Sequence, residues 1–221
     1  MPAGLQVFNS FGTVQIDENW KNYGFRQIVP VSFTLEPPIP GQSAAPVDYT
    51  LTLSGAAVLV AARSELLQVV AGGSLLSGTT WTFNWRIHPP PAPAPGASYS
   101  ETVIFYVFDV PVSGGFSNVG LEVFNASGER VFHSDMDVMK IRSVQPCSSG
   151  FTGLSGRIYA PLIVLNPIKS TYTGSSYVLS SRALRASGSA LTSSVVNVPG
   201  TGFLEFGDEG LYAAVDVTGL S

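Results

Sequence analysis

Polar and apolar residues alternate with period two along much of this chain, the mark of strands that turn one face to a core. From Thr80 to Ile87, Trp81, Phe83, Trp85 and Ile87 share one face and Thr82, Asn84 and Arg86 the other. Tyr49, Leu51 and Leu53 alternate with Thr50, Thr52 and Ser54 in the same way, up to Gly55. Glu101 to Val110 is apolar on both faces, with Val103, Phe105 and Val107 on one and Ile104, Tyr106 and Phe108 on the other. That predicts a central strand, or one covered on its outer side. Ile158 to Leu165 is also apolar on both faces but carries Pro161, whose missing N–H predicts an edge or bulged position. Ala56 to Val70 fits either an amphipathic helix or two short strands. The alternation of Val58, Val60 and Ala62 with Ala57, Leu59 and Ala61 favours strands, with Gly72-Gly73 closing the second run. A helix over Ser180 to Leu184 is short, polar and ended by Gly188, so the chain reads as nearly all-β: antiparallel and β-sandwich-like.

Two proline clusters, Pro37 to Gly41 and Pro89 to Gly96, read as stiff loops joining strands, because each proline fixes φ and constrains the residue before it. A short self-similarity organises the rest. GLQVFNSFG at 4–12 recurs as GLEVFNASG at 120–128, so that Asn9 and Gly12 correspond to Asn125 and Gly128. Each copy predicts a hairpin: the Asn starts a type I turn, the Gly takes the left-handed position, and the chain returns as 13–17 or 129–133. The return arms diverge, since Arg130 stands where the first copy has Val14. ETVIFYVFDV at 101–110 and DEGLYAAVDV at 208–217 form a second correspondence. Together they predict two related β modules, 1–114 and 115–221, each opening on a hairpin and closing on a long strand with an Asp-Val exit. One large sandwich holding both hairpins remains the alternative.

Composition narrows the function classes. The 221 residues include only 11 Lys+Arg and 15 Asp+Glu, which makes 12% charged residues with a net charge of -4. A typical chain has about 25%. Phosphate contacts need clustered cations, and Lys140, Arg142 and Arg157 are too thin a set, so nucleic acid is not expected as a partner. Low charge with 45% hydrophobic residues favours a subunit whose faces are buried against other proteins or its own copies. Cys147 is the single cysteine, excluding an intrachain disulfide and reading as a small buried hydrophobe. Met1 to Gln6 lacks a basic segment before a long apolar core, and Gly55 to Leu76 is broken by charges and glycines, so neither a signal peptide nor membrane insertion is expected.

No nucleophile elbow, HExxH, phosphate loop or paired-cysteine spacing occurs. No catalytic residue, metal ligand or cofactor site is assigned, and the chain is not expected to be an enzyme. His88 and His133 are too far apart in sequence to suggest a shared centre and read as solvent-facing or hydrogen-bonded. Asp135, Asp137, Glu205, Asp208 and Glu209 read as solvated turn residues, and Asn125-Ala126-Ser127, formally a glycosylation sequon, as the hairpin turn. The candidate assembly or binding surface is aromatic: Trp20, Tyr23 and Phe25 follow Asp17-Glu18 in a polar segment without clear alternation. They are either a flat binding platform or a lid folded over the open end of the first module.

The stretch GLQVFNSFGTVQIDENWKNYGFRQ, from Gly4 to Gln27, with GLEVFNASGERVF from Gly120 to Phe132, resembles small virion proteins of long-tailed bacteriophages that accompany the tail tip or its central fibre. The resemblance implies a structural subunit of a tail tip or tail fibre, assembled in the host cytoplasm and held in the virion by contacts with other tail proteins and with itself. It transfers no catalytic residue. The alternative is a receptor- or carbohydrate-binding module at the distal end of the tail, with a host surface receptor as partner.

Overall fold

The structure, a computed structural model, describes residues 6–8, 14–17, 21–111, 117, 119–165, 168–172, 177–198 and 210–220, with side chains for 21–111, 117, 119–165, 181–196 and 210–220. Every regular element among them is a strand. The first half holds β1 (Gln6–Phe8), β2 (Val14–Asp17), β3 (Gly24–Leu35), β4 (Val47–Ser54), β5 (Leu59–Arg63), β6 (Gln68–Ser77), β7 (Thr80–His88) and β8 (Tyr99–Asp109). The second holds β9 (Glu122–Phe124), β10 (Arg130–His133), β11 (Lys140–Pro146), β12 (Phe151–Thr152), β13 (Tyr159–Leu165), β14 (Ile168–Tyr172), β15 (Tyr177–Ser187), β16 (Ala190–Val198) and β17 (Leu211–Asp216). The architecture is all-β with several antiparallel sheets, as the alternation predicts. Ala56 to Val70 forms β5 and the start of β6 rather than a helix, and Ser180 to Leu184 lies within β15. One correction concerns Gly72-Gly73. The pair does not close a strand, because β6 runs through it to Ser77 with a register shift between Ala71 and Gly73, where a missing side chain lets the ladder bulge.

The two halves repeat strand for strand. Hairpin β1–β2 has its counterpart in β9–β10, sheet β3-β8-β5 in β11-β17-β13, and the group β4, β7, β6 in β12, β16, β15, with β14 as an addition. The details recur too. Val7 pairs with Ile16 and Phe8 with Val14, so Gln15 is extra; Val123 pairs with Phe132 and Phe124 with Arg130, so Val131 is extra. The bulge occupies the same position although Arg130 replaces the equivalent of Val14. Both long hairpins, β6–β7 and β15–β16, turn through Ser-Gly, with Gly78 and Gly188 at φ 61° and 59°. A side chain at that φ costs roughly 1 kcal/mol or more, so glycine opens both turns. The expected boundary between 114 and 115 lies outside the described residues.

Each half packs its two sheets around its own core. Leu51, Trp85 and Ile87 meet Val60, Val103, Phe105 and Val107 in the first; Leu184, Ala186 and Leu191 meet Tyr159, Tyr212 and Ala214 in the second. The opposite faces of the three-stranded sheets form a third cluster that both halves share, with Ala61, Tyr106 and Phe108 against Ala160, Leu162, Ala213 and Val215. This is why β8 is apolar on both faces. β13 is an edge strand, and Pro161 sits opposite Ala214 on its only ladder. Counterparts β6 and β15 also pair, antiparallel, through Leu184 and Val69, which joins three strands of the first half and four of the second into one seven-stranded sheet.

Candidate functional site

The best-formed cleft lies where the first half meets the second, and a bulge builds it. In β3 the register shifts between Phe25 and Gln27, which leaves Arg26 outside the ladder and turns its guanidinium toward the end of β8. There Asp109 is 7% exposed. Its carboxylate accepts the N–H groups of Ala56 at 3.2 Å and Ala57 at 2.8 Å, and lies 3.5 Å from Arg26 Nη1. Gly55 is required beside it, because a Cβ there would stand 2.3 Å from Asp109 Oδ2. The cleft, about 520 Å³, is lined by Phe25, Arg26, Gly55, Asp109 and, from the other half, Asp135, Met136 and Asp137. Three aspartates and one arginine line it, so the lining is acidic beside the apolar Phe25 and Met136.

The second half carries the same device. Arg142 is the residue left out by the shift between Ile141 and Ser143, and its Nη2 donates to Asp216 Oδ2 at 3.0 Å at the end of β17. Arg157 adds a cation at 3.9 Å, and Thr218 donates its N–H at 3.1 Å. Burial pushes the Asp216 carboxyl up, but the Thr218 hydrogen bonds and Arg142 outweigh it and hold the group below the usual range. The Asp-Val exits were legible in the sequence; the arginines were missed. Their signal was present, since Arg142 lies as far beyond Asn125 as Arg26 lies beyond Asn9.

Of the predicted surface residues, Tyr23 and Phe25 are half-buried against the cluster the halves share. Phe25 meets Phe108 edge-on at 6.1 Å between ring centres, and burial, with Asp109 nearby, raises the Tyr23 phenol. Their backbone is tied to the second half: Phe25 N–H donates to Asp137 O at 2.7 Å, and Met139 N–H to Tyr23 O at 2.8 Å. The pair therefore bridges the halves. Trp20, Asn9 and Gly12 lie outside the described residues. Asn125 Oδ1 accepts the N–H groups of Ser127 and Glu129 at 3.0 and 2.9 Å, and Gly128 has φ 77°, as the turn chemistry predicts.

Among the remaining titratable residues, His133 has carboxylates beside it, Glu122 and Asp135, each at 3.6 Å. His133 is buried and its Nδ1 accepts Asp135 N–H at 2.9 Å. His88 corrects the expectation of a solvent-facing or hydrogen-bonded ring: it is buried at the end of β7, its Nε2 has no hydrogen-bond partner, and burial lowers its pKa to about 4, helped by Arg86. It stands on the Arg86 face of β7, opposite the core face of Trp85 and Ile87, and is buried there with Gln68, its partner on β6. Cys147 is buried in the second core, and desolvation pushes its thiol up to about 11. Asp135 is exposed and accepts Ser117 N–H at 3.0 Å; that hydrogen bonding lowers its carboxyl below the usual range. Glu205, Asp208 and Glu209 lie outside the described residues. Among the described residues, no three His, Cys, Asp or Glu side chains are grouped to hold a metal ion.

A surface feature recurs as well. Ile28 and Pro30 on β3 stand on the face of Tyr106 and Ile104, and Val144 and Pro146 on β11 stand on the face of Ala213 and Leu211 at the equivalent places. Ile28, Val144 and Leu211 are 36%, 55% and 36% exposed, so both sheets leave apolar surface uncovered beside the shared cluster. No family model matches the sequence, and no curated protein or solved structure matches it either.

Proposed function

We propose that this protein is a structural subunit of a bacteriophage tail tip or tail-fibre assembly and that it works through protein–protein contacts. The observation that carries the contact reading is the duplicated apolar surface, Ile28 with Pro30 and Val144 with Pro146, on a chain with only 12% charged residues. Surface of that kind on a weakly charged protein favours burial against a partner. The placement in a tail rests on the resemblance of Gly4 to Gln27 and Gly120 to Phe132 to tail-tip-associated virion proteins. On this reading the chain is not an enzyme, needs no cofactor, and binds other tail proteins and its own copies. The test is to mix the purified chain with the tail-tip and fibre components of a phage that encodes it and to follow complex formation by size-exclusion chromatography with light scattering. A complex with a tail component, weakened by Val144→Asp, is the expected result. Binding to none of them would overturn the reading.

A second reading, recognition of a host-surface carbohydrate, has one feature in its favour. The cleft between the halves combines the Phe25 ring with Arg26, Asp109 and Asp137, an apolar face beside hydrogen-bonding groups. Glycan-array binding that Arg26→Ala abolishes, with no complex formed with tail proteins, would put this reading first.

A further inference from the structure

The free edges of the sheets differ in a way that selects one of them. An edge strand presents unpaired N–H and C=O groups, and proteins usually blunt such edges with proline, charge, bulges or brevity. β3 carries Pro30 and the Arg26 bulge; β11 carries Pro146 and the Arg142 bulge; β12 is two residues long. β4, the outer strand of the seven-stranded sheet, has no proline or bulge and is not short, and the Arg26 guanidinium reaches only its last carbonyl, Ser54 O. It pairs with β7 along all eight residues from Val47 to Ser54 without a register shift, contains no proline or lysine, and its single charge, Asp48, is met by Arg86 at 3.0 Å. Among the described residues no strand pairs with its outer side.

We propose that β4 pairs antiparallel with β4 of a second copy, across a two-fold axis at Leu51, so that two seven-stranded sheets join edge to edge. The strand is self-complementary in that register. Leu51 faces Leu51 of the second copy, Thr50 faces Thr52, Tyr49 faces Leu53 and Asp48 faces Ser54. No like charges oppose one another, and hydroxyl meets hydroxyl on the exposed face while apolar meets apolar on the core face. The register also keeps both cores on the same side of the joined sheet. A second copy is favoured over a foreign strand because β4 is complementary to itself in this register and because the sheet already holds one antiparallel joint between counterpart strands, β6 with β15. The β4 contact continues that sheet at its outer edge, and a two-fold contact closes on itself.

Sedimentation of the full chain over a wide concentration range should show a monomer–dimer equilibrium. Thr50 and Thr52 are exposed, so T50K/T52K should fold normally by circular dichroism while setting two lysine pairs face to face and weakening dimerisation by about tenfold or more. Mixing it with T50E/T52E should restore a dimer, and T50V/T52V should dimerise like the wild type. In the wild type, hydrogen exchange at the β4 amides should slow as concentration rises, a readout that needs no variant. A monomeric wild type, a dimer indifferent to T50K/T52K, or β4 exchange independent of concentration would overturn the proposal. The virion reading is tested separately: a β4 dimer that binds no tail component defeats that reading alone, and a tail-binding monomer defeats this one alone.

Discussion

Arg142 donates to Asp216 across the second three-stranded sheet from the one position where β11 skips a residue, as Arg26 approaches Asp109 in the first. A bulge conserved between two halves that share few side chains is a structural element in its own right. The bulge aims the guanidinium at a buried carboxylate at the end of the central strand, and in the first half that carboxylate also holds the turn before β5.

The ion pair should matter unequally to its two members. Asp216→Ala removes a buried carboxylate that receives Arg142 and the Thr218 N–H, and is expected to cost about 2 kcal/mol, discounted because Arg142 and Arg157 keep access to water. Arg142→Ala leaves the carboxylate its remaining partners and should cost about half as much. Urea denaturation of both single variants and the double variant measures the coupling. Equal, negligible losses would show the pair to be incidental.

His88 should make the fold acid-sensitive in a defined window. Its pKa is about 4 when folded and 6.5 unperturbed, so between these values the unfolded chain binds the proton that the folded chain refuses. Stability therefore falls as pH drops through this window, by up to about 3 kcal/mol once both states are protonated. Asp216, whose folded pKa is depressed, contributes its own loss only at lower pH. His88→Leu should flatten the pH dependence of the denaturation midpoint between about pH 7 and pH 4. An unchanged slope would reject the assignment.

Gly128 closes the second hairpin at φ 77° with open space around it, so a substitution there meets strain and no clash. Gly128→Val should destabilise by roughly 1 kcal/mol or more, while Gly128→Asn, which tolerates the left-handed region, should cost less. Thermal melts of the pair separate dihedral strain from packing.

Phe25 links the two halves through Phe108 and the shared cluster. Phe25→Ala should cost about 2 kcal/mol, less than a fully buried ring because Phe25 is half-exposed to the cleft. Limited proteolysis should then cut between the halves sooner. A variant with wild-type melting and digestion would return Phe25 to the surface.

The sequence by itself determined the strand class, the opposed faces of Glu101 to Val110, the edge position of Pro161, the pairing of both hairpins and the Asn125/Gly128 turn of the second, because each follows from local period and turn chemistry. It also carried the likeness of 4–12 to 120–128, and both hairpins then bulge at the equivalent residues, Gln15 and Val131. Only the tertiary structure decided which strands pair. Arg26 and Asp109, or Leu184 and Val69, meet across long stretches of chain, and period two marks a buried face without naming its partner. The same limit applies to His88, which stands on the polar face of its strand yet is buried, and to Tyr23 and Phe25, whose polar segment hides that it docks on the other half. Burial and pairing belong to the arrangement of sheets. A strand such as β4 carries the pattern of a core element and becomes an edge only because no strand among the described residues follows it in the sheet.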